Sequence, residues 1–282
     1  MPIQLNSISQ IIDDYDLFIL DQWGVLHNGV DIIGDSLNAL SLLKSRNKQV
    51  AILSNSGKPA SDAIKRMAQI GIPKDLYDFM LTSGEHVYQC LQHKNEPFYE
   101  NLGNKYYIFA WNEQEHEVIE TLSYQRVHAI EDADFILCAG LDNLNLNHYH
   151  SRLKLALAHD LPMICVNSDK VTVTPSGHLV PCPGAIAEIY EQMGGNVRWH
   201  GKPDPWLYKV ISQQFGSLDR AIAVGDSLHH DIQGANHAGI DSILITSGIH
   251  HQELSNSPSG ESVAALATKN HAMPTHYMRD FG

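Results

Sequence analysis

The sequence predicts an α/β protein: a Rossmann-like, three-layer parallel-sheet core with an inserted α/β cap domain. Three observations predict it. Short apolar runs alternate with amphipathic stretches along the chain, several of those runs end abruptly in a polar loop, and the middle of the chain repeats the alternation on its own. There is no internal repeat, low-complexity segment or long linker.

The strands are read at Leu17–Leu20, Val50–Leu53 and Phe79–Leu81, then Tyr106–Phe109, Phe135–Cys138 and Met163–Val166, and last Ala221–Val224 and Ser242–Ile245. Each is a short apolar run bounded by polar residues. Apolar residues recur at helical spacing over Ser36–Lys44, Ser61–Ile70, Asn147–Ala158, Ala185–Met193 and Pro205–Gln214. Gly71 with Pro73 ends the second of these helices, and Gly194-Gly195 ends the fourth. Leu20 runs into Asp21, Leu53 into Ser54, Leu81 into Thr82-Ser83, and Val224 into Gly225-Asp226. In open parallel sheets the ligand crevice lies beyond the carboxyl ends of the strands, so these four loops are expected to converge on one site.

Composition narrows the function. The 282 residues carry a formal net charge of −13, which repels nucleic-acid backbones and points to a cation wherever an anionic substrate must bind. The N-terminus has neither a basic region nor an apolar run, and no stretch is apolar enough to span a bilayer. Cys90, Cys138, Cys165 and Cys182 are widely spaced, without a paired metal pattern, and Cys138 and Cys165, within apolar runs, read as reduced core residues. A soluble cytoplasmic protein with no membrane partner is the expectation. The 17 histidines show no dedicated zinc spacing.

Four motifs can carry chemistry. Asp21-Gln22-Trp23-Gly24 follows a strand, where a carboxylate before a turning glycine can face a crevice and attack phosphorus; an Asp there is also a common turn residue. Ser54-Asn55-Ser56-Gly57 offers a hydroxyl, an amide and flexible backbone N–H groups to phosphate oxygens, or caps the following helix. Gly201-Lys202-Pro203-Asp204-Pro205 sets a lysine before a proline-opened helix, where its ammonium can neutralise phosphate. Gly225-Asp226 with Asp231 five positions on suits a magnesium site, although acidic residues also collect at helix N-termini.

Taken in this order, the motifs resemble those of the haloacid dehalogenase-like hydrolase superfamily, over nearly the whole chain. The long stretch between Ser54 and Lys202 looks like the type-2 cap of its NagD-like class IIA phosphatases, and Thr82-Ser83-Gly84-Glu85, Ala139–Asp142, Asn167-Ser168-Asp169 and Pro183–Ile186 resemble further segments of that group. The resemblance implies a core at 1–87 and 191–282 and a substrate-selecting cap at 88–190. It implies an Mg²⁺-dependent phosphoric monoester hydrolase acting on a small phosphorylated metabolite, sugar phosphate or nucleotide-like, through an aspartyl-phosphate on Asp21. Ser54, Asn55 and Lys202 would hold the phosphate; Asp21, the Trp23 carbonyl and Asp226 would hold Mg²⁺, with Asp231 supporting; Asn167 and Asp169 would face substrate from the cap. Capped relatives of this kind often dimerise, so a homodimer is allowed.

One position departs from the pattern. The family usually has a second Asp two residues after the nucleophile as acid/base, and here it is Trp23. General acid–base catalysis is worth ~10²–10⁴-fold, so turnover would be slow or limited by the leaving group. His27, in the same loop, is the substitute candidate. The alternatives are a haloacid dehalogenase-type hydrolase, against which Asp226 argues, and a non-catalytic metabolite-binding relative.

Overall fold

A computed structural model describes every residue except Asn95, 112–117, 175–177 and Asn256. Its contacts divide the chain into two compact units: Met1–Ser54, Ile64–Leu81 and Lys202–Gly282 form the first, Asn55–Ala63 and Thr82–Gly201 the second.

The first unit is built on a seven-stranded sheet. Edge to edge its strands are Ile3–Gln4, His276–Met278, Asp241–Ile245, Ala221–Gly225, Leu17–Leu20, Gln49–Ser54 and Phe79–Thr82. Pairing is parallel from the first through to Gln49–Ser54. All four residues of Leu17–Leu20 are buried, as expected of a central parallel strand covered on both faces. Leu17 and Ile19 pack on one face with Ala51, Leu53, Leu207, Tyr208, Ile211 and Ala223. Helix Pro205–Phe215 supplies three of those residues; it begins at a proline, and the Asp204 side chain accepts from Trp206 N–H at 2.9 Å.

The second unit holds a five-stranded parallel sheet in the order Val197–Trp199, Met163–Cys165, Phe135–Cys138, Lys105–Phe109 and Gln125–Arg126. An antiparallel pair, Val171–Val173 with Leu179–Pro181, accompanies it. Val87, Tyr99, Tyr106, Phe135 and Ile164 pack on one face of the sheet, and Phe109, Tyr149, Leu153, Met163 and Tyr190 on the other. Residues 55–63, 82–87 and 191–201, read from sequence as core, group with this unit; the last of these stretches holds strand Val197–Trp199, which pairs with Met163–Cys165.

All eight expected strands are present, with ends within a residue of the expectation. Asn147–Ala158 is a 3₁₀ turn, Leu146–Tyr149, followed by helix His150–Ala158. Helices Ser83–His93 and Gly260–Lys269 were not anticipated. Among the described residues no helix is long and apolar enough to cross a membrane.

Candidate active site

The site of the first unit is set by three neighbouring strand ends. Leu20 is in register with Ile52 on one side and Val224 on the other, and Asp21 N–H donates to Val224 O at 2.8 Å. Asp21, Ser54 and Asp226 therefore leave the sheet at nearly one level. The helical turn Leu228–Ile232 then brings Asp231 back toward them. Ligand oxygens of Asp21, Asp226 and Asp231 all lie within 4.8 Å of one another.

Lys202 closes this group. It is 2% exposed, and its Nζ donates to Asp21 Oδ1 at 2.6 Å, to Asp231 Oδ1 at 2.7 Å and to Leu53 O at 3.1 Å. Three acceptors match the three protons of an ammonium. The lysine therefore orients Asp21 and ties it to Asp231. Asp231 Oδ2 in turn accepts from Ser227 N–H at 3.0 Å, and Asp226 Oδ2 accepts from Ile249 N–H at 2.9 Å.

Glycines make room for the carboxylates. A Cβ at Gly24 would lie 2.2 Å from Asp226 Oδ2, and one at Gly248 2.1 Å from the same atom. At Gly225 it would lie 2.0 Å from Asp231 Cγ. Gly24 also has φ +83°, a left-handed conformation that L side chains rarely adopt.

The electrostatics are unbalanced. Three carboxylates meet one ammonium in a buried place. Burial, opposed by Lys202 and reinforced by Asp231 and then Asp226, holds the Asp21 carboxyl well above the usual carboxylate range. Burial works against the Lys202 charge, but Asp21 and Asp231 overcome it and raise its pKa above that of an ordinary lysine. A divalent cation among the three oxygens would cancel the remaining excess. Oxygen-only donors suit a hard ion such as Mg²⁺, so the residues present fit that group.

The loop after Asp21 is organised by Trp23 and His27. The Trp23 ring lies against Gly29, where a Cβ would come within 2.2 Å of it, and edge-on to His27 at 5.7 Å between centroids. His27 is buried; its Nδ1 accepts from Gly29 N–H at 2.9 Å, so its proton sits on Nε2, which has no hydrogen-bond partner among the described residues. Burial, aided by Arg66, pushes its pKa down to about 4, so the ring is neutral near pH 7.

The remaining residues singled out from sequence are brought together in the second unit. Asn55 Nδ2 donates to Asp169 Oδ1 at 2.7 Å and to Ser168 Oγ at 3.1 Å, and Asp169 N–H donates to Asn167 Oδ1 at 2.8 Å. Gly184 N–H donates to Asp169 O at 3.0 Å. Both amide protons of Asn55 are thus committed to the Asn167–Asp169 loop. Sequence reasoning passed over Gly248 and Ile249; the signal was present in Thr246-Ser247-Gly248, a polar loop after the Asp241–Ile245 strand like those after the others.

Comparison with known proteins decides the family. The haloacid dehalogenase-like hydrolase model matches residues 18–124, and the related HAD-hydrolase-like model matches residues 199–276. The chain belongs to the haloacid dehalogenase-like hydrolases. The ribonucleotide monophosphatase NagD of Escherichia coli, similar at 26% identity over 52% of this chain and 56% of that one, supports the NagD-like class IIA. It is similar to the D-glycerol 3-phosphate phosphatase of Mycobacterium tuberculosis, at 24% identity over 87% of this chain and 66% of that one. A solved haloacid dehalogenase-like hydrolase from Brucella suis superimposes with TM-score 0.81 at 23% identity, covering 100% of both chains. The solved glycerol phosphate phosphatase of M. tuberculosis in complex with magnesium superimposes with TM-score 0.67 at 20% identity, over 96% of this chain and 77% of that one.

Proposed function

We propose that this haloacid dehalogenase-like hydrolase is an Mg²⁺-dependent phosphatase of a small phosphorylated metabolite. The observation that carries the reading is the Asp21–Lys202–Asp231 bridge with Asp226 beside it: a carboxylate held by an ammonium within a ring of oxygens. Relatives that act on glycerol phosphate, and one solved with magnesium, support it.

In this reading a carboxylate oxygen of Asp21 attacks phosphorus, and the P–O bond to the leaving group breaks. Lys202 fixes the direction of that carboxylate, and its ammonium opposes the burial that disfavours the charged form. Ser54 and the backbone N–H groups after it receive the phosphoryl oxygens; Asn55, whose amide is held by Ser168 and Asp169, takes a smaller part. Water then attacks phosphorus and Asp21 leaves as a free carboxylate. Asp21, Asp226 and the Trp23 carbonyl would hold the cation, with Asp231 supporting. When bound, Mg²⁺ draws off charge from the phosphoryl oxygens. The inserted segment at 88–190 is the substrate-selecting cap, through Asn167 and Asp169. Four buried free cysteines support a reducing, cytoplasmic location.

No side-chain proton donor stands two residues after Asp21, so the leaving oxygen departs without help from that position. His27 does not replace it: its Nδ1 is engaged and its pKa lies near 4. We assign His27 to holding the Trp23–Gly29 loop. Turnover should therefore favour leaving groups that are stable as anions.

A panel of phosphate monoesters tests the reading: 4-nitrophenyl phosphate, glycerol phosphate, phosphoglycolate, a hexose phosphate and a nucleoside monophosphate, each with Mg²⁺ and with a chelator. Mg²⁺-dependent phosphate release is expected, faster for 4-nitrophenyl phosphate than for the alkyl esters by at least ~10²-fold. No release from any ester, or release indifferent to chelation, would contradict it. Halide release from a 2-haloacid would favour the dehalogenase alternative.

A further inference from the structure

A second cluster of ligand-type side chains lies wholly in the second unit. His86 and Cys90 sit four residues apart on helix Ser83–His93, on one face. His200 follows strand Val197–Trp199, its N–H donating to Cys165 O at 3.1 Å. His86 and His200 are 0% exposed and Cys90 2%. One ligand atom from each lies within 4.8 Å of the other two.

The directions of the imidazoles matter most. His86 Nδ1 and His200 Nδ1 face each other at 3.1 Å, with the rings 4.4 Å apart and inclined at 70°. Their outer nitrogens both face oxygen. His200 Nε2 lies 2.6 Å from the Tyr99 hydroxyl, and His86 Nε2 lies 3.5 Å from Glu96 Oε1. Glu96 is fixed by Arg198, at 2.8 Å from Nε and 3.1 Å from a terminal nitrogen, and Cys90 Sγ lies 3.6 Å from Glu96 Oε1.

Two ring nitrogens at 3.1 Å either share one N–H proton, one imidazole donating and the other accepting, or ligate a metal together. A hydrogen-bond chain through Tyr99, His200, His86 and Glu96 serves the nitrogens and leaves the thiol donating to Glu96 alone, apart from both inner nitrogens. A metal uses all three groups. Two nitrogens at ~2.0–2.1 Å from a tetrahedral ion are about 3.3 Å apart, close to the spacing seen. Ligating histidines commonly give their other N–H to a carboxylate or other oxygen, as Glu96 and Tyr99 are placed to receive here.

We propose that His86, Cys90 and His200 form a site for a thiophilic divalent transition metal of the Zn²⁺ class, with water in the fourth position. The ligand set is soft, whereas Asp21, Asp226 and Asp231 offer only hard oxygens, so the two centres select different ions. On binding, Cys90 loses its S–H proton to solvent and forms a metal–sulfur bond. Each imidazole keeps its proton on Nε2, and the Tyr99 hydroxyl turns to accept from His200. The inference does not rest on the phosphatase reading.

The test uses the full chain, stripped of metal under reducing conditions and equilibrated with Co²⁺ in saturating Mg²⁺. One equivalent should give a thiolate-to-cobalt charge-transfer band with tetrahedral visible bands, and Cys90→Ser should abolish the former and weaken binding at least ~10-fold. Absence of the charge-transfer band in the wild type, or its survival in Cys90→Ser, overturns the proposal. X-ray absorption of the Zn²⁺-loaded wild type decides independently of how the variant folds: a shell of two nitrogens and one sulfur is expected, and a shell without sulfur overturns it. Phosphatase activity has no part in either readout.

Discussion

Gly24 and Gly248 approach Asp226 from two sides, each at a distance that a Cβ could not share. The carboxylate is thereby held toward Asp21 and Asp231 by two residues with no chemistry of their own. Gly248→Ala should displace Asp226 and raise the Mg²⁺ concentration for half-maximal activity by ~10–100-fold, with little change in the melting temperature. An unchanged Mg²⁺ dependence in a steady-state titration would show that Asp226 does not serve the cation. Only half of this arrangement was legible in the sequence. The charged residues announce themselves by their place after apolar runs, whereas Gly248 and the Ile249 N–H acquire their role from a packing contact.

His27 shows the same limit. A histidine six residues after a nucleophile is a reasonable acid–base candidate until burial is known. Its pKa falls from 6.5 to about 4, so the folded state binds fewer protons than the unfolded chain between those values. The sign follows: the contribution is full above pH 6.5 and is lost as pH falls toward 4. It amounts to on the order of 3 kcal/mol at one pKa unit per 1.36 kcal/mol. His27→Gln should flatten that part of the stability profile, measured by urea unfolding at pH 7 and pH 4.5. An unchanged slope would remove the buried, neutral His27.

At the scale of elements, central parallel strands were readable because burial on both faces leaves continuous apolar runs, as at Leu17–Leu20 and Phe135–Cys138. Helix Ser83–His93 was not, because its buried face includes Ser83, Gly84, His86 and Cys90 and so lacks an apolar period. Strand Val197–Trp199 is only three residues long, with Arg198 at its centre. Helix Pro205–Phe215 was readable, and it sets the chain direction just after Lys202. Its Asp204 cap accepts from Trp206 N–H. Asp204→Ala should cost about 1 kcal/mol, seen as a lower urea midpoint at unchanged m-value. An unaltered midpoint would mean that the proline start alone defines the helix.

At the scale of the whole molecule, an acidic chain handles an anionic ester only where the local charge is reversed. A net charge of −13 sits behind a site where one lysine faces three carboxylates, an excess that a divalent cation would cancel. The site is assembled from residues 21, 202, 226 and 231, far apart in sequence and neighbours only because a parallel sheet puts its strand ends side by side. Spacing alone could suggest that convergence; the bridging of Asp21 and Asp231 by Lys202 arises only in the packed fold.

Asp21→Asn tests the account most directly. Burial and the neighbouring carboxylates already disfavour charge on Asp21, so the neutral amide should leave the metal-free fold intact by circular dichroism. Mg²⁺-dependent hydrolysis of 4-nitrophenyl phosphate should fall by at least ~10³-fold relative to wild type. A folded Asp21→Asn protein that hydrolyses the ester at the wild-type rate would contradict the assignment of Asp21 as the nucleophile.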